Sequence, residues 1–359
     1  MTRRLTILRG GLATAGLVGG LAGAHALRRA GSRVLWPALR DELRDEDFDL
    51  IDRDDPGVVH ADDGVRLVTR TCGPADAPVT VVFVHGFCNS METFHFQRRD
   101  LARRWGARVR MVLFDQRGHG RSGTPSTGSC TVEQLGRDLA AVIEQSAPTG
   151  RVVLVGHSLG GMAVLAAAAR FPKLFADRVI GVALLSTAAA DVTKAGVTQL
   201  LRDPAIDGYR LAVHAAPALV QAGRSGARHV IAPVLHVSSY HGPVSPTLSR
   251  FTTMMIDRTP VETTVKFLKA IARHDESAAL PTMAELPVLV LGGGHDLVIP
   301  FRNSRALARE LPGSELVRLD DAAHMAHLQY PDVINDALHR TLVRAGAIES
   351  TEAREVSGD

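Results

Sequence analysis

Aromatic side chains are scarce in this sequence: two Trp, three Tyr and eleven Phe in 359 residues. A core with so few rings has to be closed by small and branched apolar side chains, which suits tightly packed layers of strands and helices. Lysine is nearly absent, with four in the chain. Arginine carries the positive charge instead, a bias of genome composition without functional content. Cysteine is limited to Cys72, Cys88 and Cys130. Their spacing fits no zinc site, and an odd number cannot complete an intrachain disulfide framework, so they read as incidental or buried thiols. No glycine-rich phosphate loop or nucleotide fingerprint is present, so no cofactor is expected. His236 and His241 lack acidic neighbours at ligand spacing, so no metal site is expected. There is no internal repeat.

Acidic residues are missing from the first forty positions, which hold seven Arg. The formal net charge of the chain is +3, so the remainder stands at −4. A mildly acidic body gives nucleic acid no electrostatic foothold, and no nucleic-acid partner is expected. Between Arg9 and Arg28 runs GGLATAGLVGGLAGAHAL (10–27), eighteen uncharged residues of which six are Gly. The run reaches the lower length limit of a membrane span. It also reads as an export signal, with a basic start, an apolar middle and Ala24-His25-Ala26 as a small-residue cleavage site. Arg3-Arg4 adds a hint of a twin-arginine signal. Residues 1–40 are therefore expected to anchor the chain to a membrane or direct its export, placing it in the cell envelope, with the cytoplasmic side of the membrane left open. Asp41 to Asp55 is rich in acids, and 41–57 is expected to be a solvated linker.

The body follows a repeating logic. VVHADDGVRLVTRTCG (58–73) predicts two short strands joined at Asp62-Asp63-Gly64. VTVVFVHG (79–86), VRMVLFDQ (109–116), RVVLVGHS (151–158) and VIGVALLST (179–187) are then apolar throughout, with helical stretches between them. Runs without alternation fit strands covered on both faces, hence a parallel sheet with crossover helices. The alternation pauses over 188–286, a mostly helical segment expected to be a cap. Its clearest helix is predicted to start at Thr259-Pro260-Val261-Glu262, with Thr259 capping and Val261, Val265, Leu268 and Ala272 on one face. PVLVLGG (287–293), SELVRLD (314–320), a last helix (332–346) and a polar tail (347–359) complete the chain. The predicted core is thus 58–187 with 287–346.

In VLVGHSLGGMAV (153–164) one serine stands between glycines where a strand gives way to a helix. A sharp turn there would expose Ser158, and it would crowd its neighbours; Gly156 and Gly160 lack the Cβ atoms that would collide. A serine hydroxyl is a poor nucleophile without a base and without donors for the oxyanion it creates. One donor is expected at the N–H of Leu159, at the start of the helix. The second is expected from Phe87 N–H, in the loop after VTVVFV; Cys88 follows it and is expected to be partly accessible. Among fifteen His, His324 lies in the loop after the last strand, where an imidazole could exchange the serine proton near neutral pH. His327 is the second choice. His85, His119, His157 and His295 each neighbour a motif and read as structural. Asp296, in LGGGHDLVIP, follows a strand and precedes His324 by 28 residues, room for one helix and one strand. Both would then emerge at the carboxyl edge of the sheet, where ligands bind in open α/β folds. Asp191 is the alternative acid.

Gly86 after its strand, DQRGHGRS (115–122), GHSLGG (156–161), Gly294-His295-Asp296 and His324 together resemble the α/β-hydrolase fold superfamily over about residues 58–346. The resemblance implies an eight-stranded, mostly parallel sheet, a helical cap after the sixth strand, and a serine hydrolase whose nucleophile, acid and base are Ser158, Asp296 and His324. It also implies that DQRGHGRS is a structural turn. Epoxide hydrolases and haloalkane dehalogenases of this fold use Asp as nucleophile; Ser favours acyl transfer to water, hence carboxylic esters. Carbon–carbon bond hydrolases, cofactor-free haloperoxidase-like enzymes and a non-catalytic ligand-binding protein stay open as alternatives. Met162, Phe251, Met254 and Met255 suggest an apolar acyl pocket, and a small ester or lipid as substrate, with membrane association through 10–27.

Overall fold

The apolar runs form a single eight-stranded sheet in the order β1-β2-β4-β3-β5-β6-β7-β8. This computed structural model describes residues 41–202, 235, 236 and 238–349. β1 (Asp55–His60) and β2 (Arg66–Cys72) form the predicted hairpin, and β2 also pairs antiparallel with β4. β3 (Val79–Val84), β4 (Val109–Phe114), β5 (Arg151–His157), β6 (Val179–Leu185), β7 (Val288–Gly293) and β8 (Glu315–Leu319) run parallel. β3 to β7 are buried almost throughout; β8, at the edge, leaves Leu316 40% exposed.

Alternate residues of the central strands feed two core layers. Val82, Val84, Leu154 and Val182 face one side, where α2 (Val132–Ser146) and α3 (Leu159–Arg170) pack. Val81, Phe83, Val153 and Val155 face the other, with residues of α1 (His95–Trp105) and α7 (Pro331–Arg344). α2 starts cleanly because Thr131 accepts a hydrogen bond from Gln134 N (3.1 Å), and it turns Leu135, Leu139, Val142 and Ile143 inward. α6 (Phe301–Glu310) packs against β7 and β8.

The cap leaves the sheet after β6. Its described part includes α4 (Pro246–Arg258) and α5 (Val261–Ala272). Thr259 does not cap α5 as its sequence suggests. The cap position is Pro260, and Thr259 Oγ1 instead donates to Met255 O (3.2 Å), closing the helix before it. The expected apolar stripe of α5 does face inward at Val265 and Leu268.

The acidic stretch departs from its expected solvated state. Asp41 bonds Ser245 and Thr247 at the start of α4, Glu46 bonds His95 (2.7 Å), and Phe48 stacks on Phe251 at 4.1 Å. Asp41, Glu46, Asp52 and Asp54 are matched to donors far along the chain, while Glu42, Asp45, Asp47, Asp49 and Asp55 stay exposed. Residues 1–40, with the expected anchor or signal at 10–27, lie outside the described residues, as does the tail from 350 on. Among the described residues no single helix is long and apolar enough to cross a membrane.

Candidate active site

The turn between β5 and α3 presents Ser158 at φ 53° and ψ −116°. Its backbone is tied to β6: Ser158 N donates to Leu185 O (2.9 Å), and Thr187 Oγ1 donates to Ser158 O (2.7 Å). The flanking glycines are required by contact. A Cβ on Gly156 would stand 2.7 Å from Gly160 O, and one on Gly160 would stand 2.0 Å from Val84 O. The crowding read from GHSLGG is therefore real, and it involves β3 as well as the turn itself.

Asp296 and His324 reach Ser158 from the ends of β7 and β8. His324 Nε2 lies 3.0 Å from Ser158 Oγ, and His324 Nδ1 lies 2.8 Å from Asp296 Oδ2. A carboxylate can only accept, so it fixes the proton on Nδ1 and leaves Nε2 free to accept from the serine hydroxyl. The other carboxylate oxygen accepts from Val298 N (2.8 Å) and Ile299 N (2.9 Å), so Asp296 is held on both sides. All three residues are shielded, at 6%, 3% and 8% exposure for Ser158, Asp296 and His324. The alternatives are placed elsewhere. His327 bonds Thr93 (2.9 Å), and burial pulls it down to about 3. Asp191 pairs with Lys194 at the surface (2.7 Å).

Leu159 opens α3, so its N–H belongs to the first turn, where no intrahelical acceptor exists. The loop bearing Phe87 lies directly against the elbow: a Cβ on Gly86 would be 3.2 Å from Ser158 Cβ. A histidine–glutamine pair pins this loop. His85 Nε2 accepts from Gln116 N (2.9 Å), Gln116 Nε2 donates to His85 O (2.5 Å), and His85 Nδ1 donates to Gly86 O (2.8 Å). This bonding needs a neutral ring, and burial holds His85 down to about 3. Behind the elbow, His157 Nε2 donates to His324 O (3.0 Å), bracing the backbone of the base; burial keeps it well below the ordinary histidine range.

DQRGHGRS is the buried turn that supports these loops. Arg117 makes paired bonds to Asp138 and Asp63, and the Asp115 carboxylate accepts from Met91 N and Arg121 N (both 2.8 Å). Burial raises Asp115 to about 7. Sequence reasoning marked His85 and His157 as structural without finding their partners. The pairing of His85 with Gln116 joins residues 31 apart, and nothing in the spacing announces it.

The residues expected to line an acyl pocket separate. Met162 is 1% exposed inside the main core, which corrects its expected substrate-lining role. Met162 is the fourth residue of α3, on the face that joins the main core. Phe251 and Met255 are buried in a smaller cluster with Phe96, Leu248, Met325 and Leu328, and Met254 packs against it. That cluster adjoins the base loop through Met325. Cys88, expected to be partly accessible, is 2% exposed; it sits 3.5 Å from Thr264 Oγ1, and burial pushes its thiol up to about 12.

A family model described as the alpha/beta hydrolase fold matches residues 79–331. The chain is 29% identical to a bifunctional esterase/perhydrolase of Acinetobacter calcoaceticus, over 71% of this chain and 87% of that one. Among solved structures, an esterase of Thermogutta terrifontis superposes with a TM-score of 0.63 at 24% identity, covering 81% of this chain and 99% of that one. The enol-lactonase of Burkholderia xenovorans gives 0.65 at 24%, covering 80% and 100%.

Proposed function

The chain belongs to the alpha/beta hydrolase fold family, and from that premise we propose a serine hydrolase that cleaves carboxylic esters through an acyl-enzyme. The observation that carries this reading is the continuous chain from Asp296 to His324 to Ser158, at 2.8 and 3.0 Å. Ser158 Oγ attacks the ester carbonyl while His324 Nε2 takes its proton. The developing oxyanion is received by the N–H groups of Leu159 and Phe87. His324 then protonates the leaving alkoxide and later activates the water that releases the acid. Asp296 stabilises the transient imidazolium and keeps the ring oriented.

The apolar cluster of Phe251, Met254 and Met255 beside Met325, next to the base, supports an apolar acyl group. The experiment is labelling of the full chain by a fluorophosphonate probe, with p-nitrophenyl esters of rising acyl length. Labelling that disappears in Ser158→Ala supports the reading. Absence of labelling in the parent chain leaves a binding protein. Fastest turnover on the acetyl ester removes the apolar-acyl part. The Acinetobacter relative, named an esterase/perhydrolase, favours a second outcome worth one assay: hydrogen peroxide in place of water would convert the same acyl-enzyme to a peracid. The N-terminal run 10–27 supports location in the cell envelope, read by fractionation of the expressed full chain.

A further inference from the structure

The cap is stitched to both loops that carry the acid and the base. His324 N donates to Ser238 O (3.3 Å) and Met325 N to Ser239 O (2.9 Å). Two residues on, the His241 ring stacks on His295, immediately before Asp296, at 3.6 Å and 7° between planes. Gln329 Nε2 donates to His241 O (2.6 Å), closing the same seam. Residues 238–241 thus touch the backbone of the base and the neighbour of the acid. Tyr240, half-buried, ties them to α4 through its hydroxyl and Thr252 Oγ1.

α4 is in turn held by the segment that precedes the fold. Asp41 accepts from Ser245 Oγ, from Thr247 N (3.3 Å) and Oγ1 (2.8 Å), and from Arg250 (3.4 Å), all at the first turns of α4. A carboxylate there also complements the helix dipole. Glu46 bonds His95 and Arg99 of α1, on the core. Two residues past Glu46, Phe48 stacks on Phe251 of α4 and meets the edge of Phe96 of α1 at 5.8 Å. One short stretch is therefore fastened to the core at Glu46 and to the cap at Asp41, with a ring wedged between.

We infer that residues 41–48 act as a positioning strap: by fixing α4 they hold residues 238–241 against the loops of Asp296 and His324, and so set the alignment of the base on Ser158. The inference rests on the serine-hydrolase reading. It makes Asp41 and Phe48 positioning residues, remote from any substrate atom. Small displacements of a catalytic group cost rate far more than binding.

The test uses Asp41→Ala, Asp41→Asn and Phe48→Ala in the full chain, with p-nitrophenyl butyrate and the fluorophosphonate probe. The alanine variants are expected to lower kcat and the labelling rate by about tenfold or more with KM unchanged. Amide hydrogen exchange at His324 and Met325 is expected to quicken in both. Asp41→Asn keeps an acceptor for Ser245 and Thr247 and is expected to retain most of the rate. A parent chain that does not label overturns the hydrolase reading and the strap with it. A parent chain that labels, with alanine variants labelling equally fast, overturns the strap alone. Rate loss that tracks only the fraction unfolded in a thermal melt, with unchanged exchange in the folded protein, also overturns it.

Discussion

The two halves of the candidate site are held in place by different means. On one side, Ser158 sits on an elbow whose geometry is set by contact: Val84 O and the glycine backbones leave no room for a Cβ at 160 or 156. On the other, Asp296 and His324 stand on loops fixed by a few polar bonds: local ones from Val298 N and Ile299 N to Asp296, and distant ones from the cap and from His157 to the loop of His324. The first side is rigid because it is packed, and any added atom disturbs it. The second is positioned in part by groups distant in the chain, so it can be loosened without unfolding the core.

The largest expected break of this contrast is on the polar side. Asp296→Asn should retain the fold yet lower kcat by about 10⁴-fold, because an amide can present N–H to Nδ1 and stabilise the wrong tautomer. Steady-state kinetics beside a thermal melt would read this; a loss of fold with the rate would place Asp296 among structural residues. On the packed side, Gly160→Ala should cost about 3 kcal/mol of stability or more, by forcing a methyl against Val84 O. Urea unfolding checks it, and an unchanged midpoint would mean that the elbow yields.

Acid sharpens the contrast with the smallest effect per residue. Burial holds His85 and His327 at about 3 and His119 at about 4, with His157 also well below its ordinary value of 6.5. Below pH 6.5 the unfolded chain binds protons at these positions and the folded chain does not, so stability falls as pH falls from 6.5 towards 4. Each ring should remove a little under about 1 kcal/mol between pH 7.5 and 6, read as a falling urea midpoint. A midpoint flat over that range would mean that these rings are protonated in the folded protein.

Much of this was legible in the sequence because it is local. The glycine spacing around Ser158, the uninterrupted apolar runs, the hairpin at Asp62-Asp63-Gly64 and the order of Ser158, Asp296 and His324 each follow from short stretches. What escaped is tertiary. Acids at 41–57 look solvated until Ser245, Thr247, His95 and Arg99 are brought to them. Thr259 carries every local sign of a helix start, yet its hydroxyl serves the preceding helix. Met162 belongs to the core because α3 turns that face to the sheet, a matter of helix rotation that the motif does not state. β8, like β1, is less buried than the central strands because the sheet ends there.

Ser158 adopts a backbone conformation that glycine enters freely and residues with a Cβ enter at a cost of about 1–3 kcal/mol. The protein is therefore under tension at the position proposed to carry its chemistry. A chain with glycine at 158 would shed that tension and, on the serine-hydrolase reading, lose its activity with the hydroxyl. On that reading, this torsion trades durability for reactivity at the residue proposed to attack the substrate.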